Sequence, residues 1–355
     1  MFELKDITAI KGWFREEGPH EDVILSSRIR LARNLADYSF PHIMAGTDEK
    51  EAEEKIVSAF KSINNDNTFE IINMDEISPI ERKMLLERNF ITQDFSLKRH
   101  KVVVLNRDET LSVMVNEEEH LRIASIHAGL ALERAYKDAD NLDSKLEDYL
   151  HYAVSLEWGY LNTSLNDIGT GLRSSVMLHV PALVMTSLID RVIKNINEVG
   201  LSVKGFFSDN DGSLGDMYQI SNQLTLGLSE KEIIDKLEGI TLQLIDYEKK
   251  AREELMERRR VEIEDKVLRA YGILKYCRSI SIKEAIELLS LVRFGISMEI
   301  VKGINLRMIN ILLFAGQKSH IQRILSSRGE EGDNEYIDYM RAKIIREAIT
   351  EGNNV

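Results

Sequence analysis

Apolar positions recur along this chain with two distinct periods. Between residues 48 and 63, Ala52, Ile56, Phe60 and Ile63 fall at helical spacing and predict an amphipathic helix with one core-facing stripe. Leu142, Leu146, Leu150 and Ala153 predict another. Residues 101–105 (Lys-Val-Val-Val-Leu) and 111–115 (Leu-Ser-Val-Met-Val) are short and β-branched, and Asn106-Arg107-Asp108-Glu109-Thr110 between them is turn-like, so the pattern predicts a β-hairpin. A second strand pair is expected near Leu201–Phe207 and Asp216–Asn222. Between them Ser208-Asp209-Asn210-Asp211-Gly212-Ser213 is rich in turn formers and is expected to be a mobile loop.

Strands and helices are thus interspersed through about residue 225, and from Ser229 the pattern changes. Ser229-Glu230-Lys231-Glu232 is a capping box that opens a long, charged helical stretch reaching about Tyr271. Ser281-Ile282-Lys283-Glu284 is a second, followed by Ala285, Leu288, Leu289 and Val292 at i, i+3, i+4 and i+7. Glu284, Glu287 and Arg293 lie off that stripe, so only one face of this helix is expected to meet a core. The C-terminal third reads as mainly helical, with a boundary near residue 250. There is no internal repeat, and 4 prolines make no Pro-rich linker.

Composition narrows the picture. A length of 355 residues suits two domains, and 43% hydrophobic with 30% charged residues is that of a globular protein. No apolar run approaches the roughly 18 residues that span a bilayer. Met1-Phe2-Glu3-Leu4-Lys5-Asp6 is acidic where a signal peptide would be basic, so export is not expected. A lone cysteine, Cys277, excludes an internal disulfide or multi-cysteine zinc site, agrees with a reducing cytoplasm, and is expected to be a small buried apolar residue. A net charge of −13 argues against a nucleic-acid binder, since phosphate-backbone affinity needs dense Lys/Arg surfaces.

Three separated segments nevertheless combine carboxylates, arginines and glycines in a way that suits phosphate chemistry. Ser26-Ser27-Arg28-Ile29-Arg30 sets two guanidinium groups at i and i+2, which on an extended segment point to one side, and planar arginine forks match phosphate oxygens. Taken alone, a solvent-facing basic strand edge is the plainer reading. Asn116-Glu117-Glu118-Glu119-His120-Leu121-Arg122 places carboxylates and a cation where a strand gives way to a loop, with a solvated acidic turn as the alternative. Gly169-Thr170-Gly171-Leu172-Arg173-Ser174-Ser175 lets backbone approach a ligand and adds a guanidinium, although a tight turn explains Gly-x-Gly as well. No Gly-Lys-Ser/Thr follows at Walker spacing, and the His-Arg-Asp with Asp-Phe-Gly pair is absent.

In this order, Ser-Ser-Arg-Ile-Arg, Asn-Glu-Glu-Glu-His-Leu-Arg-Ile and Gly-Thr-Gly-Leu-Arg resemble the signatures of the phosphagen kinase superfamily. The resemblance runs from Gly18-Pro19 to Gln219-Ile220-Ser221-Asn222-Gln223, and the chain as a whole is similar to the bacterial protein-arginine kinase branch. Kinases of free arginine or creatine carry a helical domain before Ser-Ser-Arg-x-Arg, where 25 residues stand here, whereas the protein-arginine kinases carry a helical C-terminal domain. The fold implied is α+β: a phosphagen-kinase-like catalytic domain over 1–250, an antiparallel sheet flanked by helices, with a smaller helical domain over 251–355.

The resemblance also implies roles. Glu118 would orient a guanidino group and receive its proton, with Asp209 as second carboxylate. ATP, carrying its Mg2+, would lie against Ser26, Ser27, Arg28, Ile29, Arg30, Asn89, Arg122, Arg173, Ser174, Ser175, Val176, Met177, Lys204, Gly205, Phe206, Phe207, Ser208 and Asp209, with no dedicated protein metal site. Several of these depart from the family pattern: Lys204 replaces an arginine, Asn89 a histidine, Asp209 a glutamate, and Ser164-Leu165 a Cys-Pro whose thiol positions substrate. In the helical domain Ile337-Asp338-Tyr339-Met340-Arg341-Ala342 matches a phosphoarginine-binding Arg-Asp-x-x-Arg-Ala without its first arginine; Asp338 and Arg341 read more simply as a helix i,i+3 pair. Implied partners are proteins with exposed arginine, a zinc-finger activator, a Clp-type unfoldase and a second copy of the chain, all in the cytoplasm. An adaptor descended from such a kinase, or a kinase of a free guanidino compound, stay open as alternatives.

Overall fold

Ten strands and eleven helices appear among the described residues, which in this computed structural model are 10–64, 66–98, 101–206 and 213–351. The strands are β1 (Ile24–Arg33), β2 (Phe69–Asn73), β3 (Val102–Asn106), β4 (Leu111–Val115), β5 (Leu121–Ala128), β6 (Val154–Ser155), β7 (Gly159–Tyr160), β8 (Leu172–His179), β9 (Leu201–Gly205) and β10 (Met217–Asn222). Eight of them form one sheet in the order β2-β3-β4-β5-β1-β8-β10-β9, antiparallel at every pairing, while β6 and β7 make a separate small hairpin. The helices are α1 (Gly46–Ile63), α2 (Pro79–Glu87), α3 (Gln93–Leu97), α4 (Leu132–Glu147), α5 (Pro181–Met185), α6 (Ile189–Glu198), α7 (Glu230–Tyr276), α8 (Ile282–Ser297), α9 (Leu306–Ala315), α10 (Lys318–Ser326) and α11 (Asn334–Glu351). The expected α+β architecture is observed.

Strand alternation divides the sheet chemically. Ile29 and Leu31 of β1, Ile123 of β5, Leu172 and Val176 of β8 and Ile220 of β10 turn to one face, where they pack on Ala135, Ala139, Leu142 and Leu146 of α4 and Leu237 and Leu244 of α7. Phe60, Ile56 and Ala52 of α1 extend this core, as their spacing predicts. Over β3 and β4 the opposite face is also covered, by a smaller cluster in which Met74, Leu85, Phe90, Ile91 and Phe95 meet Val103, Leu105 and Met114. The cover stops there. On β5, β1, β8, β10 and β9 the same face carries mostly polar side chains.

Several local expectations need correcting. α4 ends at Glu147, so Leu150 and Ala153 lie beyond it; Ala153 N instead donates to Asn34 O (2.8 Å), an extended cross-link to the end of β1. Ser229 and Glu232 make a full capping box, whereas at Ser281 only the serine half forms, accepting from Glu284 N at 3.2 Å. α7 runs 47 residues, beyond the expected end near Tyr271 to Tyr276, with non-helical angles at Arg259. Cys277 is half-buried.

Arg293 is the largest surprise, since it is 0% exposed. Its guanidinium donates to Asp22 O (3.1 Å) and to Glu21 O, meets His179 Nδ1 at 2.9 Å, and reaches Asn310 Oδ1 at 3.3 Å. It therefore bolts α8 to β8 and to the turn before β1, and burial beside Arg252 lowers its pKa to about 9. A charged residue off an apolar stripe is solvent-facing only when no partner waits behind it; here four acceptors do.

Candidate active site

The polar sheet face is built from the even positions of β1 and their neighbours. Arg28 is paired in register with Ser175 and Ile126, Arg30 with Arg173 and Ala124, and Arg122 with Ala32, so the four arginines stand on adjoining strands with their side chains to one side. Ser26 and Met177 pair on that face, as do Gln219 and Lys204, the latter exposed on β9 at the sheet edge.

The arrangement crowds like charges together on one face. Burial, with the neighbouring charge of Arg122, lowers the pKa of Arg28 to about 10. Burial also pulls Arg30 well below the ordinary arginine value, reinforced by repulsion from Arg28, Arg122 and Arg173 and opposed by Asp167. Arg30 Nε is buried without a hydrogen-bond partner. An unsatisfied guanidinium among like charges makes this face a favourable place for an anion.

The arginines are held in place by neighbouring acids and backbone carbonyls. Arg122 pairs with Glu117, which also accepts from Thr92 Oγ1 (2.8 Å), and the arginine charge and these bonds hold the Glu117 carboxyl below its usual value against its burial. Arg173 donates to Asn222 O and Asp167 Oδ1, both at 2.9 Å. Arg28 donates to the backbone carbonyl of Asn89 at 2.9 Å. Asn89 has φ +59°, a left-handed conformation that suits Asn after a helix, so this contact uses its main chain and not its side chain.

Glu118 sits at the tip of the β4–β5 hairpin. Asn116 N to His120 O (3.0 Å) and Glu117 N to Glu119 O (3.1 Å) close the turn and send its three acids in different directions. Glu117 faces Arg122. Glu119 turns inward, 1% exposed, where it pairs with Asn34 and accepts from Thr163 N (2.9 Å) and Ser164 N (3.3 Å); burial raises its pKa. Glu118 is left half-exposed at the edge of the arginine face, 3.5 Å from Arg122. Thr163 Oγ1 donates to Glu118 O (3.1 Å), so Ser164 is carried to the immediate vicinity of Glu118 by backbone contacts.

Beside Arg28 the polar face deepens into a cleft walled by Trp13, Arg88, Asn89, Ile126, Met177, Phe206 and Gln219. Of these, Trp13, Arg88 and Ile126 escaped sequence reasoning, because they come from three distant segments and share no local pattern.

Not every expected residue reaches this face. Ser27 and Ile29 occupy odd positions of β1, and Ser174 and Val176, their partners in register, even positions of β8; all four turn their side chains toward the helical layer, and Ser27 Oγ is spent on Gly129 O (2.8 Å) and Ala131 N (2.9 Å). Gly205 lies at the end of β9 and Phe206 follows it, with Phe206 N donating to Met217 O (2.9 Å). Phe207, Ser208 and Asp209 lie outside the described residues. Asp338 and Arg341 form an i,i+3 pair remote from the sheet, in which Arg341, 2% exposed, also donates to Gly316 O (2.7 Å) and Ile280 O (2.8 Å). That guanidinium joins three segments of the helical region.

Comparison with known proteins identifies the family and the fold. Residues 51–251 match the family described as ATP:guanido phosphotransferase, C-terminal catalytic domain, and residues 260–354 match the protein-arginine kinase McsB C-terminal domain. Among solved structures, lombricine kinase superposes with a TM-score of 0.57 at 22% identity, covering 70% of each chain. The duplicated taurocyamine kinase of Schistosoma mansoni gives 0.59 at 24%, over 70% of this chain and 36% of that one. These two establish the phosphagen-kinase fold. The protein-arginine kinase of Bacillus licheniformis is 39% identical over 98% of this chain and 95% of its own length. That of Geobacillus thermodenitrificans is 40% identical over 98% and 96%. Matched along nearly its whole length by such relatives, the chain belongs to the protein-arginine kinase family of ATP:guanido phosphotransferases.

Proposed function

We propose that this protein transfers the γ-phosphoryl group of ATP to the guanidino nitrogen of arginine side chains in proteins. The observation that carries the reading is the row of four converging arginines, one with a buried, unpartnered Nε, bordered by an exposed carboxylate. Arg28, Arg30, Arg122 and Arg173, with Lys204 at the rim, would bind the phosphate chain, and the cleft beside Arg28 would take the rest of the nucleotide. A guanidinium is a poor nucleophile while protonated. Glu118 would orient it and take its proton as the nitrogen–phosphorus bond forms and the bond to the ADP oxygen breaks, the electron pair leaving with ADP. Asp209 would be the second carboxylate.

Among the described residues no group of three or more His, Cys, Asp or Glu side chains gathers as a metal site. Arginines fit phosphate oxygens and not a bare cation, so the Mg2+ that kinases of this family use would be held by ATP, supplying charge neutralisation on the phosphates. Catalysis would rest on positioning and electrostatics. The divergent Asn89 is consistent with activity, because its contact to Arg28 runs through the main chain. Glu119 likewise holds Ser164 by its amide. Family membership alone supports the remaining elements: a catalytic unit over 1–250 with a helical domain over 251–355, homodimerisation, a zinc-finger activator, a Clp-type unfoldase and a cytoplasmic setting. No helix is long and apolar enough to cross a membrane among the described residues.

The test is mass spectrometry for phosphoarginine after incubation with ATP, Mg2+ and a protein substrate, run in parallel with free arginine. Phosphoarginine on protein, above the rate on free arginine, is expected. Product on free arginine alone would replace the protein substrate with a small guanidino compound, and nucleotide binding without product on either would leave an adaptor.

A further inference from the structure

The nucleotide-side cleft has no free-standing wall of its own: both sides are backed by the C-terminal helices. On one side α2 ends at Glu87, and the next residues, Arg88 and Asn89, line the cleft. Glu87 accepts from Ser319 N (3.1 Å) and Ser319 Oγ (2.9 Å), and its other oxygen lies 3.2 Å from His320 Nδ1, all at the start of α10. Ser319 and His320 are both 1% exposed. Two residues after this clamp, the left-handed Asn89 presents the carbonyl that receives Arg28. On the other side Trp13 meets Phe314 of α9 edge-on at 5.4 Å, and Phe14 stacks on the same ring at 4.9 Å.

We propose that Glu87 is a positioning residue for the nucleotide: by clamping α2 to Ser319 and His320 it fixes the Arg88–Asn89 turn against Arg28, so that the α9–α10 region sets the affinity of the catalytic cleft for ATP. The proposal rests on the reading that this cleft takes ATP. A carboxylate held by three groups on two buried residues gives the turn one position; without it the end of α2 loses its contact with the start of α10. Displacement of a ligand-aligning carbonyl by about an ångström is enough to change binding or rate by one to two orders of magnitude. Arg88 is separately anchored by Glu109 and by Lys11 O, so the turn keeps its fold when the clamp is cut and loses only its register on α10.

The experiment compares the full chain with Glu87→Ala and Glu87→Gln. Trp13 is one of 2 tryptophans and lines the cleft, so in a Trp158→Phe background its fluorescence titrates ATP directly, independent of turnover. Expected are a dissociation constant and a KM for ATP raised about tenfold in Glu87→Ala, kcat at saturating ATP within about twofold, and recovery of most of the loss in Glu87→Gln, whose amide oxygen still accepts from Ser319. ATP affinity equal in the parent and Glu87→Ala, with only a lower melting temperature, would make Glu87 a purely structural residue and overturn the proposal. No ATP binding by the parent would instead sink the functional reading on which it rests.

Discussion

Replacing Arg30 with methionine should make the protein more stable and, in the same step, blind to ATP. Arg30 is a half-buried cation whose Nε has no partner and whose neighbours Arg28, Arg122 and Arg173 repel it. Exchanging buried charged groups for well-packed apolar side chains of similar volume is often neutral or stabilising by about 1–4 kcal/mol. With a melting shift of roughly 2 °C per kcal/mol for a chain of this size, the variant should melt about 2–8 °C higher without nucleotide. The sign of the pH dependence follows from the lowered pKa: the folded state disfavours the protonated form, so the penalty is in full force at neutral pH and only fades at high pH as the guanidinium loses its proton. ATP at about one hundred times its dissociation constant adds about 2.7 kcal/mol to the parent, a further rise of roughly 5 °C. Arg30→Met should show no such rise. Thermal melts of both proteins with and without ATP and Mg2+ give all four values, and Arg28→Met is an internal contrast, because its guanidinium already has a partner in Asn89 O and its loss should stabilise less. A variant that melts below the parent without ATP, or that keeps the full nucleotide increment, would refute the reasoning.

Three further outcomes follow from the same geometry. Arg293→Ala should destabilise by more than about 3 kcal/mol in urea unfolding, because the carbonyls of Glu21 and Asp22 and the side chains of His179 and Asn310 lose a buried donor at once. His120 is held neutral by burial, its pKa lowered to about 4, so its contribution to stability is complete above its unfolded value of about 6.5 and is lost as pH falls toward 4. Melting curves across that window should steepen for the parent and flatten for His120→Gln. Glu119→Ala, which frees the amides of Thr163 and Ser164, should cut turnover by about tenfold or more, while Ser164→Cys should change it less, since the loop is held by backbone and not by that side chain.

How much of this was legible beforehand depends on how local each signal is. The hairpin of β3 and β4, the strands β9 and β10, α1 and the opening of α7 all declare themselves through short-range periodicity and capping, and the structure puts them within a few residues of the expected places. β1, β5 and β8 do not announce themselves as strands of a central sheet, because arginines and serines interrupt their apolar runs. Those same arginines carry the family resemblance, so the feature that hides the strands points to the candidate site. Ser78 and Pro79 carry a capping box and an N-terminal proline that predict α2, a signal present in the sequence and not used. Glu117, Asp167, Glu119 and Asn222 have no such signal: each orients a site residue through contacts that only the fold creates. Arg293 fails for the same reason, three of its four partners lying more than a hundred residues away.

The most direct measurement is the rate of phosphoarginine formation on a protein substrate by the parent and by Glu118→Gln, paired with ATP affinity for each. Removing a general base that borders an intact arginine face should lower turnover by about one hundredfold or more while the affinity for ATP stays within about twofold, since Glu118 touches the phosphate site only at its 3.5 Å approach to Arg122. Undiminished phosphoarginine in Glu118→Gln would show that the guanidino group is activated elsewhere, and the assignment of this edge of the sheet as the site of transfer would fall.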